Sequence, residues 1–254
     1  MRLDKAIFEK GLAQSRSRAA QLIDNNSVTV NGKTINKASY NVEETDEIVV
    51  FDSIGYVGRG GLKLEYAIKE FSVDVDGCEA LDIGASTGGF TQCLLNYGAL
   101  SVTSVDVGHG QMHESLVGDK RVMLIENFNA KNLNAQIIGG KKDIAVMDVS
   151  FISQTEIYGA MFSCLKDEGC AITLVKPQFE AGSKYLNKKG IIKNKKIYLD
   201  VFDKIQRSAH EYCYSVEKAC VSPVLGGDGN TEFLVLLKKG LFDYDFTDIF
   251  DSVK

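Results

Sequence analysis

The chain has 254 residues, of which 44% are hydrophobic and 25% are charged, and its formal net charge at neutral pH is −5. This composition is typical of a soluble globular protein that is long enough for one large and one small domain. Because no window holds eighteen consecutive apolar residues, the sequence excludes a membrane-spanning helix.

The cysteines, the histidines and the first residues favour a cytoplasmic protein without a metal. The six cysteines show no C-x-x-C spacing and are interpreted as reduced, mostly buried thiols. The three histidines form no cluster of metal ligands, so no metal is expected. The first ten residues mix charged and apolar positions and lack the apolar core of a secretory signal.

Positive charge is concentrated at the start of the chain. Residues 1–37 hold seven basic and three acidic side chains, a net charge of +4, whereas residues 38–50 hold four acidic side chains and no basic one. The tail 241–254 is also acidic, with four aspartates. A localised basic patch is what contact with a polyanion requires, although a solvated helix face has the same appearance.

Two short helices and a hairpin are predicted in the first fifty residues. The first helix has an apolar stripe made of Leu3, Ala6, Ile7 and Phe8. Either Ser15 or Ser17 can cap the second helix, whose first turns hold Arg16 and Arg18. Positive charge there opposes the helix macrodipole, and a phosphate partner would compensate it. An Asn-Gly turn at 31–32 predicts a hairpin over 27–35, and residues 48–50 close the unit.

The segment SRSRAAQLI followed by VTVNGKTI resembles the RNA-binding fold first described in ribosomal protein S4. The resemblance covers residues 1–50 and implies a small α+β RNA-binding domain over 1–52 that holds structured RNA through its phosphates. Phosphate contacts position RNA without reading its sequence. The basic residues expected to contact RNA are Arg2, Lys5, Arg16, Arg18, Lys33 and, beyond this domain, Arg59. At the hairpin tip, Lys33 also fits a solubilising charge.

Alternating strand and helix signals follow a glycine-rich linker over residues 53–61. An amphipathic helix with Lys63 in its first turn comes first. The predicted strands then cover 80–83, 102–107, 122–125, 144–149, 171–175, 216–221 and 233–237, with helices over 90–97 and 193–212. This order predicts an α/β, Rossmann-like domain over 62–240 with a central, mostly parallel sheet. Ligands of such sheets bind at the carboxyl ends of the strands.

A nucleoside site is predicted where the first strand of this domain ends. The loop LDIGASTGG at 81–89 lacks the dinucleotide pattern G-x-G-x-x-G and is more usual for S-adenosylmethionine, which has no pyrophosphate. Asp106, at the end of the next strand, can accept both ribose hydroxyls, and residues 126–129 can meet the adenine. The predicted cofactor contacts are Asp82, Gly84, Ala85, Ser86, Thr87, Gly88, Gly89, Phe90, Asp106, Val107, Asn127, Phe128 and Asp148.

Four ionisable residues are expected to meet at the same sheet edge. Asp148 and Lys176 end parallel strands, and Glu232 begins the last strand, which is predicted to be antiparallel. Because an antiparallel strand begins where parallel strands end, these side chains and Lys63 can converge on one cleft. Pro177 favours extended geometry for the lysine before it.

Seven motifs together resemble the TlyA family, sometimes labelled hemolysin A, over nearly the whole chain: YVGRGGLKLEYAI, LDIGASTGGFTQCLL, VDVGHGQ, DVSFIS, LVKPQFEAG, KGIIK and GNTEFLVLL. Members of that family are ribosomal-RNA 2′-O-methyltransferases with an FtsJ-type catalytic domain. The resemblance implies S-adenosyl-L-methionine as the cofactor and cytidine in the ribosomal RNA of ribosomal subunits as the substrate. It also implies a catalytic set at Lys63, Asp148, Lys176 and Glu232. A monomer is expected.

The hypothesis that follows makes Lys176 the general base for the ribose hydroxyl, held by the other three residues. A lysine side chain has an ordinary pKa of about 10.4, so it accepts a proton only where its surroundings lower that pKa. Methylation of a base amine is disfavoured, since DVSF at 148–151 replaces the usual Asn/Asp-Pro-Pro-aromatic sequence. Methylation of a pyrimidine carbon needs a cysteine near a strand tip, where Cys164 and Cys170 do not lie.

Three other functions stay open from the sequence. The chain fits an RNA-binding ribosome assembly factor that has kept the fold without turnover. It also fits a membrane-active cytolysin, although no strongly amphipathic segment supports that function. A small-molecule methyltransferase would leave the basic N-terminal unit without a purpose.

Overall fold

The structure is a computed structural model that describes residues 1–13, 15–24, 27–50, 56–187, 190–192, 194–227 and 229–251. Residues 53–55 of the predicted linker and residues 252–254 of the predicted tail lie outside this described part. The domain boundaries given above stay a prediction.

The N-terminal unit has two helices and a three-stranded antiparallel sheet in the order β2-β1-β3. Its elements are α1 (Leu3–Glu9), α2 (Arg16–Asp24), β1 (Val28–Val30), β2 (Lys33–Thr34) and β3 (Ile48–Val50). The Ser15 hydroxyl accepts a hydrogen bond from the Arg18 N–H (3.1 Å) and so caps α2 as predicted. Asn31 and Gly32 have φ of 50° and 74°, as the tight hairpin turn requires.

The predicted apolar stripe of α1 is wrong at one position. Leu3, Ala6 and Ile7 are buried in the small core, but Phe8 is 44% exposed. Residues three and four apart share a helix face, and the residue after Ile7 is rotated about 100° away from that face.

The larger unit is a seven-stranded sheet between two layers of helices, in the strand order β6-β5-β4-β7-β8-β10-β9. Five strands are parallel, whereas β10 is antiparallel to both of its neighbours, so the predicted mostly parallel sheet is confirmed. Its elements are α3 (Gly60–Phe71), β4 (Glu79–Ile83), α4 (Gly89–Asn96), β5 (Ser101–Val105), α5 (Glu114–Val117), β6 (Val122–Ile125), β7 (Lys142–Met147), α6 (Tyr158–Ser163), β8 (Leu165–Val175), α7 (Pro177–Glu180), α8 (Lys195–His210), β9 (Tyr214–Val221), β10 (Phe233–Lys239) and α9 (Thr247–Asp251).

Each face of the sheet has its own apolar core, because side chains alternate along a strand. In β10, Phe233 and Val235 join the core beneath α6 and α8, and Leu234 and Leu236 join the core beneath α3 and α4. A strand that is apolar on both faces can only lie between two helix layers. The apolar run at 233–237 therefore fixes β10 inside the sheet.

Two strands end earlier than predicted, and the cysteines are less buried than predicted. β5 and β7 both end two residues early, so Asp106 and Asp148 begin loops at the carboxyl edge of the sheet instead of ending strands. All six cysteines are free, but only Cys93 and Cys164 are buried, and Cys213 is exposed. Cys213 has φ of 61° in the exposed turn between α8 and β9.

Within the described part of the chain, no helix combines the length and the apolar character that a bilayer-spanning segment needs. The same residues contain no group of three or more His, Cys, Asp or Glu side chains placed to hold a metal ion.

Candidate active site

The four ionisable residues predicted to converge do line a single cleft, of about 230 Å³. Lys63 comes from the first turn of α3, Asp148 follows β7, Lys176 lies between β8 and α7, and Glu232 precedes β10. We call this space the narrow cleft. It lies at the carboxyl edge of the parallel strands, where α/β sheets hold their ligands.

The four side chains form two ion pairs. Lys63 Nζ lies 2.5 Å from Glu232 Oε2, and these side chains are only 7% and 3% exposed. Lys176 Nζ lies 2.5 Å from Asp148 Oδ1, and it also donates a hydrogen bond to the Ser150 hydroxyl (2.9 Å). Pairing allows charges to be buried that would otherwise be too costly to remove from water. The charges of these four side chains, two lysines and two carboxylates, therefore balance one another.

Local sequence explains why Lys176 and Glu232 leave the sheet together. The register of β8 and β10 pairs Val175 with Phe233, so the next residue outward is Lys176 on one strand and Glu232 on the other. Lys176 has φ of −110° and ψ of 95°, the extended conformation predicted for a residue before proline. Pro177 then starts α7, at a position where the missing N–H costs no hydrogen bond.

Arg59 connects the narrow cleft with the N-terminal unit. Its guanidinium lines the cleft and donates a hydrogen bond from Nη1 to the Thr34 hydroxyl of β2 (3.2 Å). Burial lowers the pKa of Arg59, while the nearby carboxylates Glu232 and Asp148 act in the opposite direction. The predicted RNA contact at Arg59 therefore lies beside the two ion pairs.

The glycine-rich loop requires glycine at its two ends. Gly84 has φ of +83°, and a Cβ there would lie 2.3 Å from the backbone oxygen of Asp148. Gly88 has φ of +93°, and its Cβ would lie 2.3 Å from Leu116 Cδ1. Only glycine allows this conformation and this close approach. The loop therefore packs directly against the segment that carries Asp148.

A second space, which we call the wide cleft, shares Gly84, Ser86 and Asp148 with the narrow one and measures about 470 Å³. Its apolar wall contains Phe128, Val149 and Ile152, which suit a flat aromatic base. A polar wall is formed by Asp106, whose two carboxylate oxygens accept hydrogen bonds from the N–H groups of Ser86 and Gly108 (2.7 Å each).

The wide cleft fits the nucleoside part of S-adenosylmethionine. An ionised carboxylate has about four acceptor positions, so each Asp106 oxygen keeps one for a ribose hydroxyl. The residues that would hold the cofactor are therefore Asp106 at the ribose, and Phe128 with Val149 and Ile152 at the base.

Three of the predicted cofactor contacts do not line either cleft, namely Asp82, Gly88 and Asn127. Asp82 lies within β4 with no exposed surface, and its Oδ2 accepts a hydrogen bond from the Thr91 hydroxyl (2.6 Å). Burial raises the pKa of Asp82 to about 7. Asn127 is exposed at φ of 55°. The other predicted positions all line one cleft or both: Gly84, Ala85, Ser86, Thr87, Gly89, Phe90, Asp106, Val107, Phe128 and Asp148.

The sequence interpretation missed several residues of the wide cleft. Ser150 holds Lys176, and Gln111 receives a hydrogen bond from the Ser86 hydroxyl (3.3 Å). Phe151 is 91% exposed with φ of 65°, an unusual state for a large apolar residue. Asn129 also lines this cleft, and it belongs to the segment 126–129 that was expected to meet the adenine. The signal for Ser150 was its place two residues after Asp148, and the signal for Gln111 was its place at the end of the motif VDVGHGQ.

In the N-terminal unit, two predicted RNA contacts already have a protein partner. Arg2 Nε and Arg16 Nη2 lie 3.0 and 2.7 Å from the carboxylate oxygens of the buried Asp4. These contacts, the hydrogen bond from Arg2 above all, lower the pKa of Asp4 to about 2. A phosphate is therefore not needed to explain Arg16 at the start of α2, which corrects the argument from the macrodipole. Lys5 lies 3.5 Å from Glu9, Arg18 is partly buried, and Lys33 is exposed at the hairpin.

The chain is similar to known proteins in both of its units. Residues 56–239 match the model of the FtsJ-like methyltransferases, and residues 1–48 match the S4 domain. Hemolysin A of Brachyspira hyodysenteriae is 40% identical over 235 residues, covering 92% of this chain and 98% of that protein. The 16S/23S rRNA (cytidine-2'-O)-methyltransferase TlyA of Mycobacterium tuberculosis is 37% identical over 239 residues, 93% of this chain and 89% of the relative. The solved structure of a candidate hemolysin from Streptococcus thermophilus, 35% identical, has a TM-score of 0.77 and covers 99% of this chain and 93% of its own.

Proposed function

Since this chain belongs to the FtsJ-like methyltransferase family and begins with an S4 domain, we propose that it methylates the 2′-oxygen of a ribose in ribosomal RNA. Two relatives are named as rRNA (cytidine-2'-O)-methyltransferases, which supports cytidine as the nucleotide. The observation that carries the proposal is the pair of lysine–carboxylate contacts in a cleft that adjoins the glycine-rich loop.

The cofactor is S-adenosylmethionine. When bound, it supplies an electrophilic methyl group whose bond to sulfur breaks as the ribose oxygen attacks. In this proposal, Asp106 binds the ribose hydroxyls of the cofactor and the apolar wall with Phe128 binds its base, since both line the wide cleft. Because Asp148 lines both clefts, it stands where the two substrates have to meet.

The remaining chemical task is to remove the proton of the ribose hydroxyl. Lys176 is the general base in this proposal: its ammonium first releases a proton to water, and the neutral Nζ then accepts the proton of the ribose hydroxyl as the new oxygen–carbon bond forms. Asp148 and Ser150 hold Nζ in position. Lys63 and Glu232 line the same cleft and, in this proposal, orient the hydroxyl. Holding oxygen and methyl carbon in line supplies most of the rate.

RNA recognition is assigned to the N-terminal unit together with Arg59. Lys33 is exposed at the hairpin, on the strand next to Thr34, which bonds to Arg59. An RNA phosphate bound between Lys33 and Arg59 would bring an adjoining ribose to the narrow cleft. The backbone contacts would then position the RNA and leave the choice of nucleotide to the fit of the folded ribosomal particle.

Three finer statements belong to the same proposal. The chain acts as a monomer in the cytoplasm, where ribosomal subunits are found. Its S4 domain extends over residues 1–52 and its catalytic domain over 62–240. Light scattering of the purified chain and of the two separate fragments tests the monomer and the boundaries.

The decisive experiment is transfer of a labelled methyl group to purified ribosomal subunits, followed by mapping of the positions that resist alkaline cleavage, since a 2′-O-methyl group blocks that cleavage. The expected result is one or a few blocked cytidines in intact subunits. Transfer to a base, or no transfer at all, would contradict the proposal.

The role of Lys176 is tested by two substitutions. Lys176→Ala is expected to lower the rate by about 10²–10⁴-fold, the usual contribution of a positioned base. Lys176→Arg keeps a positive charge beside Asp148 but cannot give up its proton, so it should be equally slow. Lys166→Ala, at the amino end of the same sheet, is the matched control and should keep wild-type activity.

A further inference from the structure

One buried carboxylate, that of Glu180, lines neither cleft and has no role in the methyl transfer proposed above. Glu180 ends α7, the helix that begins directly after Lys176, and its side chain is 3% exposed. Its Oε1 accepts a hydrogen bond from the backbone N–H of Gln154 (2.8 Å). Its Oε2 accepts hydrogen bonds from the Ser153 hydroxyl and from Lys204 Nζ (2.9 Å). A carboxylate this deeply buried is stable because its oxygens are bonded.

These contacts join two chain segments that both lead to the narrow cleft. Ser153 and Gln154 end the segment 148–154, which starts with Asp148, while Glu180 ends the segment 176–180, which starts with Lys176. At the cleft end, the same two segments are joined by the Lys176–Asp148 ion pair. Phe151 and Phe179 make a further contact between them, with ring centroids 5.0 Å apart.

We propose that Glu180 is a positioning residue for methyl transfer, which clamps segments 148–154 and 176–180 together and so fixes Lys176 Nζ against Asp148. The inference rests on the proposed function, because the position of Nζ matters only if Lys176 handles the proton. An amine that is carried by one segment and bound by a carboxylate of the other is placed no better than the two segments themselves. A displacement of about 1 Å at a reacting group costs about 10²-fold in rate.

The chain contains a carboxylate with similar partners at the opposite end of the same strands. Asp143 of β7 accepts a hydrogen bond from the backbone N–H of Glu79 (2.9 Å) and pairs with Lys166 (3.0 Å). Its partners are of the same kinds as those of Glu180, a backbone N–H and a lysine, but its side chain is 35% exposed against 3% for Glu180. Asp143→Asn is therefore a control for the loss of such contacts away from the cleft.

Glu180→Gln is the main variant, because it keeps the shape of the side chain. Its amide nitrogen has to face either the N–H of Gln154 or the ammonium of Lys204, and both of these are donors. One clamp contact is then lost whichever way the amide turns. Ser153→Ala removes a single donor and provides a milder variant should Glu180→Gln fail to fold.

Two measurements on the full-length variants test the clamp. In single-turnover methyl transfer to ribosomal subunits, Glu180→Gln is expected to be slower by about 10²-fold with unchanged subunit affinity. Ser153→Ala is expected to be slower by a smaller factor, and Asp143→Asn to match the wild type. Without cofactor or RNA, an amine-reactive reagent should label Lys176 faster in Glu180→Gln than in the wild type or in Asp143→Asn, as read by mass spectrometry.

Each outcome decides the question. Normal transfer by folded Glu180→Gln, or equal losses in Glu180→Gln and Asp143→Asn, would overturn the positioning role. Unchanged labelling of Lys176 in both clamp variants would overturn it as well, whatever the RNA assay gives. A wild-type chain that methylates no RNA would refute the proposed function, and the labelling comparison would still decide whether Glu180 fixes Lys176.

Discussion

Removing one member of the Lys63–Glu232 ion pair is expected to destabilise the protein far more than removing both. The two side chains are 7% and 3% exposed, with charged atoms 2.5 Å apart. At an effective dielectric constant of about 20, their attraction is roughly 6–7 kcal/mol, and the loss of hydration on burial offsets much of it. Loss of one partner leaves the other charge buried alone, which costs about 3–5 kcal/mol.

The assay is thermal unfolding of the apo protein, so that ligand binding does not shift the transition. Lys63→Met and Glu232→Met each replace a charged side chain with an unbranched apolar one. Each single change should lower the Tm of the larger unit by about 6–20 °C, at about 2–4 °C for each kcal/mol in a chain of this size. The double variant should recover most of that loss, because both charges are gone.

Activity is expected to separate from stability in the double variant. If the ion pair has been retained for chemistry, the recovered double variant will still transfer methyl groups far more slowly than the wild type. A double variant whose destabilisation equals the sum of the two single values would show that the charges do not interact, and the argument from the buried pair would be refuted.

Three further predictions concern the loop and the N-terminal unit. Burial raises the pKa of Asp82 to about 7, so between about pH 4 and 7 the folded state binds more protons than the unfolded state, and the contribution of Asp82 to stability falls as the pH rises. Asp82→Asn should therefore raise the Tm relative to the wild type more at pH 8 than at pH 5. An equal Tm difference at both pH values would contradict the raised pKa. Gly84→Ala brings a Cβ to 2.3 Å from the backbone oxygen of Asp148 at φ of +83°, which costs about 1–3 kcal/mol of strain. S-adenosylmethionine binding, measured by calorimetry, should weaken about tenfold or more, and wild-type affinity would contradict the tight packing at Gly84. Lys33→Ala should leave the Tm unchanged and reduce the slope of log K against log salt concentration for subunit binding by about one. Arg16→Ala should instead lower the Tm of the N-terminal unit. The reverse pattern would make Arg16 the phosphate contact and Lys33 the structural residue.

The architecture could be predicted from the sequence because its signals are local. Alternation of strands with helices indicates a parallel sheet, and the apolar run at 233–237 needs only a partner strand on each side. Convergence of Lys176 with Glu232 follows from one further rule, that an antiparallel strand begins where parallel strands end. The pairing of Val175 with Phe233 is the register that this rule requires.

Other features depend on contacts between residues that are distant in sequence and have no local signature. Asp82 was predicted to reach the cofactor from its place in the motif, but it has no exposed surface, and its Oδ2 accepts a hydrogen bond from Thr91 of α4. Arg16 has the charge of an RNA contact, yet Asp4, twelve residues earlier, folds back to bind it. Motif and charge indicate which interactions a side chain can make. Whether it makes them with a ligand or with the protein depends on which side chains of the neighbouring helix pack against it.

The burial of the two ion pairs supports Lys176, rather than Lys63, as the base. Lys63 and Glu232 are 7% and 3% exposed, whereas Lys176 and Asp148 are 13% and 22% exposed. A base has to meet the incoming hydroxyl and later release its proton to water, and both steps require access. Asp148 also lines the wide cleft, so the more open pair is the one that adjoins the cofactor. The enclosed pair is better suited to hold the cleft in shape, because a charge buried that deeply cannot separate from its partner at low cost.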